Sequence, residues 1–217
     1  MKKFLSFKVI LFSLSILLFL IFIYFSSQVA QEKFKQFDFD STVRFQNRIP
    51  LIFNVPFSML SIIGSVEITG IIWLILVFKT VSKKFYLTTF ALLLFWVGLT
   101  IEVLGKVFLY HPSPPFMFYR GIGLVFPSHY VHTGYSYPSG HMYRTAFLVA
   151  FLIVFLFLRE EKAHKYLYKA GLLIFLVVMF ISRVYLGEHW ISDVIGGLLL
   201  GGSLGLVSAL TIPARTK

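Results

Sequence analysis

Cysteine is missing from this 217-residue chain. That excludes disulfides, thiolate metal sites and cysteine nucleophiles. Charge is scarce: Asp, Glu, Lys and Arg make up 13% of the residues, against about 25% in soluble domains. Acidic residues are the rarer sign, nine against twenty Lys and Arg. No P-loop, H-E-x-x-H or C-x-x-C motif occurs, and there is no internal repeat or low-complexity tract. No polar stretch is long enough for a separate soluble domain. What fills the chain is apolar: 58% hydrophobic residues and a mean hydropathy of +0.83. This is the composition of an integral membrane protein, expected to be all-α and to form a single membrane domain over 1–217.

Six apolar stretches are each near the roughly 20 residues that span a bilayer as a helix. They run at about 8–27, 57–78, 85–108, 142–158, 166–186 and 190–211. The first follows Lys2 and Lys3 as a signal peptide would, but its apolar run is long and no A-x-A cleavage site follows, so a retained helix is expected. With the N-terminus in the cytoplasm, twelve of the twenty Lys and Arg fall on the inner side. The expected topology is multi-pass in the cell membrane, with both termini cytoplasmic. The net charge of +11 then reads as contact with anionic lipid headgroups rather than with nucleic acid.

Two longer segments fall on the outer side. Residues 28–56 mix both charge signs with Phe34, Phe37, Phe39 and Phe45, and read as a short amphipathic segment on the membrane surface. Residues 109–140 are rich in proline, glycine, histidine and tyrosine and read as irregular loop; ordered loops of this length are often functional.

Three elements that can do chemistry converge on this outer side. Lys106 ends the third stretch. Pro138-Ser139-Gly140-His141 opens the fourth, with Ser139 near the N-cap. Arg183, His189 and Asp193 straddle the hairpin between the fifth and sixth. His189 and Asp193 are four residues apart and share a helix face; an imidazole held by a carboxylate is a prepared nucleophile or base. Arg183 offers a planar fork suited to phosphate. The helix start at Ser139 presents backbone N–H groups and a positive dipole end to an anion, and Gly140 allows a ligand close to the backbone. Ionisable groups in apolar segments are expensive and read as functional.

These residues resemble the motifs of the type 2 phosphatidic acid phosphatase superfamily, the lipid phosphate phosphatases, and within it the bacterial phosphatidylglycerophosphatase B group. The family pattern is K-x6-R-P, P-S-G-H and S-R-x5-H-x3-D. The second is complete at 138–141 and the third at 182–193. The first departs: Lys106 and Pro114 are present, but Ser113 stands at the arginine position. Arg120 and Arg144 are candidates to replace that arginine.

The resemblance implies a phosphatase without metal or other cofactor, acting on a lipid phosphate in the bilayer. Phosphatidylglycerol phosphate is the first substrate it suggests; undecaprenyl pyrophosphate, phosphatidate and diacylglycerol pyrophosphate stay open. It implies that His189 forms a phosphohistidine, that Asp193 supports the imidazole, and that His141 protonates the leaving group and then activates water. Lys106, Ser139, Gly140 and Arg183 would bind the phosphate. A carrier or flippase for phosphate lipids is the alternative, but it leaves the His189–Asp193 spacing and the second histidine unexplained. Vanadium haloperoxidases share the histidine–arginine pattern but are largely soluble.

Other polar residues read more plainly. His111, His129, His132 and His164 lack comparable company and read as loop or surface histidines. Glu102 sits four residues before Lys106 and is expected to pair with it. Glu67 reads as a satisfied interior glutamate. Tyr143, Tyr185 and Trp190 fit an aromatic belt. Tyr119, Tyr130, Tyr135 and Tyr137 are headgroup candidates. Gly196, Gly197, Gly201, Gly202 and Gly205 indicate close helix packing, within the chain or in a dimer; oligomeric state is not legible.

Overall fold

In a computed structural model that describes residues 2–122, 135–159 and 165–213, the apolar stretches are helices. No strand occurs among the described residues. The order is α1 (Lys2–Ala30), α2 (Lys35–Arg48), α3 (Asn54–Ile63), α4 (Val66–Ser82), α5 (Tyr86–Ala91), α6 (Leu94–Phe108), α7 (Gly140–Arg159), α8 (Lys165–Tyr185) and α9 (Ile191–Ala209), with 3₁₀ turns at Leu51–Phe53 and Phe116–Phe118. In hydrocarbon every backbone group must be satisfied internally, so an apolar chain of this kind has little choice but helix. Five segments are long and apolar enough to cross a membrane, and the pair Leu51–Ile63 and Val66–Ser82, bent by 44°, makes a sixth. The six expected spans are therefore present. His129, Tyr130, His132, His164, Lys162, Arg215 and Lys217 lie outside the described residues.

α7 and α9 form the centre. A stripe of glycines on α9 makes their contact possible. A Cβ on Gly197, Gly201 or Gly205 would run into the backbone carbonyls of Ser139, Tyr143 and Phe147 in turn. The spacing of four keeps all three on one face, so these glycines are used in packing within the chain. Phe95, Tyr143, Phe147, Phe151 and Leu200 fill the space beside this contact. By contrast, α1 and α8 are largely exposed in their apolar windows, at 17% and 22% buried, as suits helices facing lipid.

Two tyrosines depart from the aromatic-belt expectation. Tyr143 is fully buried and donates its hydroxyl to the Phe95 carbonyl. Tyr185 is equally buried, with its hydroxyl on Asn54 Oδ1 at 2.6 Å. Both lie near a helix end, but on the inward face, where a buried hydroxyl finds a protein partner rather than a headgroup.

The bend between α3 and α4 falls at Gly64-Ser65, where Ser65 caps α4 by accepting from the Ile68 N–H. A Cβ on Gly64 would lie 2.9 Å from Met179 Cε and 3.0 Å from His141 Cδ2. The break thus brings backbone directly against a motif histidine. α2 does form in the outer segment. Its buried line is polar, Asp38, Thr42 and Gln46, while Phe37 and Phe39 are exposed. Gln46 donates to the carbonyls of Phe118 and Tyr185, so α2 turns its polar face toward the protein.

Candidate active site

The end of α6, the start of α7 and the turn between α8 and α9 meet at one end of the bundle. The turn is made by Gly187, whose φ of +68° favours glycine and whose Cβ would strike the Phe118 carbonyl. It folds the chain back so that the His189 N–H reaches the Arg183 carbonyl at 3.3 Å. α9 then starts with Asp193 Oδ2 accepting from the Trp190 N–H at 3.0 Å, the N3-to-N-cap half of a capping box. The same oxygen lies 3.3 Å from His189 Nδ1. The cap that starts the helix therefore also holds the imidazole, and leaves Nε2 as the outward nitrogen.

The second motif is stitched to the third. The Ser139 N–H donates to the Asp193 carbonyl at 2.9 Å, and the Ser139 carbonyl accepts from the Tyr143 N–H, so Ser139 occupies the N-cap position of α7, as its sequence context suggests. Its Oγ is enclosed and has no partner among the described residues. Such a hydroxyl is expensive to bury unless a ligand uses it.

Arg183 is fully buried. Its Nη1 donates to Ser61 Oγ at 2.6 Å and to Glu188 Oε2 at 2.5 Å. Ser61 Oγ lies 3.5 Å from His141 Nε2, so one hydroxyl from α3 bridges the arginine and the second histidine. The charges of Arg183, Arg144, His189 and Lys106 all act on His141. All seven sequence-designated residues are thus gathered in one place.

Lys106 pairs with Glu102 at 2.7 Å, as the spacing suggests, and Arg144 takes the other carboxylate oxygen at 3.0 Å. Arg144 also reaches the Gly64 carbonyl. Of the two arginines weighed as replacements at the Ser113 position, Arg144 is the one that enters this cluster. Arg120 instead donates to the Gln46 carbonyl and lies over the Tyr185 ring. For Gly140 the physical reason changes. A Cβ there would collide with the Glu102 carboxylate, so the glycine makes room for Glu102 rather than for a ligand. Glu67 also departs from expectation: neither oxygen has a hydrogen-bond partner among the described residues. Its place in the first turn of α4 gives it the favourable end of a helix dipole instead.

Several residues at the site carry no motif. His111 is buried, not a surface histidine. Its Nε2 lies 3.0 Å from Ser192 Oγ, 3.4 Å from Asp193 Oδ1 and 3.7 Å from Asp38 Oδ2. Burial, partly offset by the nearby Asp193 and Glu32 charges, holds it below the ordinary histidine range. Asp38 from α2 accepts from the Ser192 N–H at 2.9 Å and hydroxyl at 2.7 Å. Burial outweighs these bonds, and with the Asp193 charge pushes its carboxyl up to about 6. Tyr119 is raised by burial and then by the Glu188 charge. Glu188, next to His189, and Ser192, next to Asp193, lie inside the third motif, where a reader could have asked about them.

A family model described as the PAP2 superfamily matches residues 85–217. The chain is 38% identical over 108 residues to an undecaprenyl-diphosphatase of Sulfolobus acidocaldarius, covering 49% of this chain and 47% of that protein. It is 40% identical over 74 residues to phosphatidylglycerophosphatase B of Bacillus subtilis, covering 32% and 35%. The matched stretches thus span less than half the length of either relative. Among solved structures, the transmembrane PAP2 type phosphatidylglycerolphosphate phosphatase from Bacillus subtilis superposes with a TM-score of 0.71 at 22% identity, covering 89% of this chain and 93% of that one. LpxE of Aquifex aeolicus superposes with a TM-score of 0.58 at 21% identity, covering 78% and 93%. The matched region includes Lys106 and both complete motifs, and the chain belongs to the PAP2 superfamily, with the helical fold of its membrane-spanning members.

Proposed function

We propose that the chain is a lipid phosphate phosphatase working through a phosphohistidine at His189. The observation that carries this is the carboxylate of Asp193, which faces His189 Nδ1 beside the buried Arg183 and the unpartnered Ser139 hydroxyl. Nδ1–H is held by Asp193, so the Nε2 lone pair attacks phosphorus. The P–O bond to the lipid alcohol breaks, and protonated His141 gives its proton to that oxygen. Neutral His141 then takes a proton from water. The hydroxide attacks phosphorus, the P–N bond breaks and His189 is regenerated. Asp193 stabilises the imidazolium formed between the two steps. Arg183, Lys106, Ser139 Oγ and the Gly140 N–H bind the phosphate oxygens as charge shifts. Fixed cations supply this stabilisation, so the reaction is expected to proceed without added metal.

The substrate proposed first is phosphatidylglycerol phosphate. Similarity to an undecaprenyl-diphosphatase keeps undecaprenyl pyrophosphate beside it, and phosphatidate and diacylglycerol pyrophosphate belong to the same test. The excess of inner lysines and arginines supports an outward-facing site with both termini in the cytoplasm. The test is phosphate release from these lipids by protein purified in detergent with EDTA. Release that survives EDTA and disappears in His189→Ala supports the reading. Turnover by His189→Ala at the wild-type rate overturns it. Lipid binding without release from any substrate points instead to a carrier.

A further inference from the structure

The Asp193 carboxylate has two oxygens and a histidine against each. Oδ2 faces His189 at 3.3 Å. Oδ1 is enclosed, makes no well-aligned hydrogen bond, and has His111 Nε2 at 3.4 Å. The protons around His111 can be assigned. The Ser192 hydroxyl donates to Asp38 Oδ2 at 2.7 Å, and the Ser192 N–H to Asp38 Oδ1 at 2.9 Å. Ser192 Oγ therefore offers His111 only lone pairs, at 3.0 Å. His111 Nε2 must carry a hydrogen, which it donates to Ser192 Oγ, and this polar N–H lies 3.4 Å from Asp193 Oδ1.

We propose that His111 is a positioning residue for the reaction: its Nε2–H supports the catalytic carboxylate from the side opposite His189, and Asp38, through Ser192, fixes that proton in place. His111 acts through Asp193, so the role rests on His189 being the nucleophile. A buried carboxylate oxygen without a donor is costly. Without His111, Asp193 Oδ1 loses the N–H that faces it, and the carboxylate is held against His189 Nδ1 less firmly. With it, the carboxylate is fixed from both sides.

The array has its own opening. His111 and Asp38 line a cavity of about 350 Å³ together with Glu32, Lys35, Ser113 and Trp190. None of Lys106, Ser139, His141, Arg183 and His189 lines it. Protons can thus reach Asp38 and His111 while a phosphate occupies the site. The groups that face His111 are Asp38 from α2, Glu32 after α1, Asp193 and His189 at α9, and the Tyr137 ring edge-on. Asp38 is faced by Ser192, Asp193 and His111. Burial raises the Asp38 carboxyl to about 6, so Asp38 takes up a proton as the pH falls through that value. The lost negative charge weakens support for the cationic His189, and kcat falls.

The test compares kcat and its pH profile, on the fastest-released lipid of the panel above, for wild type, His111→Gln, His111→Leu and Asp38→Asn. Gln places an amide N–H close to the position of Nε2. His111→Leu is expected to lose roughly 10- to 100-fold in kcat with KM little changed, and His111→Gln to recover most of it. Asp38→Asn is expected to lack the inflection near pH 6. A folded His111→Leu with wild-type kcat and profile overturns the proposal, as does a His111→Gln no better than His111→Leu. If His111→Leu does not fold, Asp38→Asn decides: an unchanged inflection near pH 6 overturns the proposal. Inactive His189→Ala beside wild-type His111 variants removes this inference alone; active His189→Ala removes the phosphohistidine itself.

Discussion

Glu188 Oε2 lies 2.5 Å from Arg183 Nη1, so the arginine proposed to bind phosphate is already held by a carboxylate from the residue before His189. Arg183 is fully buried while a quarter of the Glu188 side chain is exposed. An incoming phosphate must displace the glutamate, which can swing outward. Glu188→Gln is expected to lower KM by about 3- to 10-fold, equivalent to roughly 1 kcal/mol, with kcat little changed. It should also lower the thermal midpoint of the empty protein, because a buried guanidinium loses its partner. Steady-state kinetics and melting in detergent check the two effects, and a raised KM would contradict the displacement.

The close fit of Gly140 to Glu102 gives a second expectation. Gly140→Ala would push the carboxylate off Lys106 and Arg144. The buried Arg144 and the half-buried Lys106 then lose their common partner, and breaking a buried pair of this kind costs about 3–5 kcal/mol. The variant is expected to lose at least about 100-fold in kcat. Shortening the acid in the double variant with Glu102→Asp should recover part of the loss, a coupling that a double-mutant cycle measures.

Asp38 sets a pH dependence of stability. Its carboxyl is raised in the folded protein from 3.8 to about 6, so between these values the folded state binds more protons than the unfolded one. Stability contributed there is present below pH 3.8 and is lost as pH rises through about 6. Asp38→Asn cannot ionise and escapes this loss. It is expected to be more stable than wild type by on the order of 1–3 kcal/mol above pH 7, with the difference shrinking toward pH 4. Thermal midpoints measured across this range test it. The same substitution is expected to lower kcat, so stability and activity move in opposite directions.

The α7–α9 contact leaves no room for side chains at its glycines. Gly201→Val would place side-chain atoms against the Tyr143 carbonyl and Ala146. Backbone cannot move aside as a side-chain tip can, and overpacking of this kind costs about 1–3 kcal/mol or more. Reduced yield of folded protein is expected, whereas Gly171→Val on α8, where a Cβ meets nothing within 4 Å, should be tolerated. Fluorescence-detected size-exclusion chromatography of both variants distinguishes the positions.

Hydropathy and short motifs make the spans legible and single out the seven residues proposed for the site, because both signals are local. Ser139, His141, His189 and Asp193 each sit within a few residues of a helix start that the sequence marks. The residues that support them are not local. Asp38 and Ser192 are 154 positions apart, and Ser61 and Arg183 are 122 apart. No periodicity links such pairs; only the packing of α2 and α3 against the α8–α9 turn brings them together. His111 was read as a loop histidine because its partners lie on other elements. Tyr143 and Tyr185 lie near helix ends but face inward, against the aromatic-belt expectation. Closeness to a helix end does not say which way a ring points.

The most direct test of the account is to trap the covalent intermediate. Wild-type protein and His189→Ala are mixed with lipid phosphate in EDTA, quenched in base on the millisecond scale, and mapped by mass spectrometry. The expected result is a base-stable, acid-labile phosphoryl group on His189 of the wild type and none in His189→Ala. Phosphate release by wild type with no phosphoryl group on any histidine, or with the group on another residue, would contradict the account.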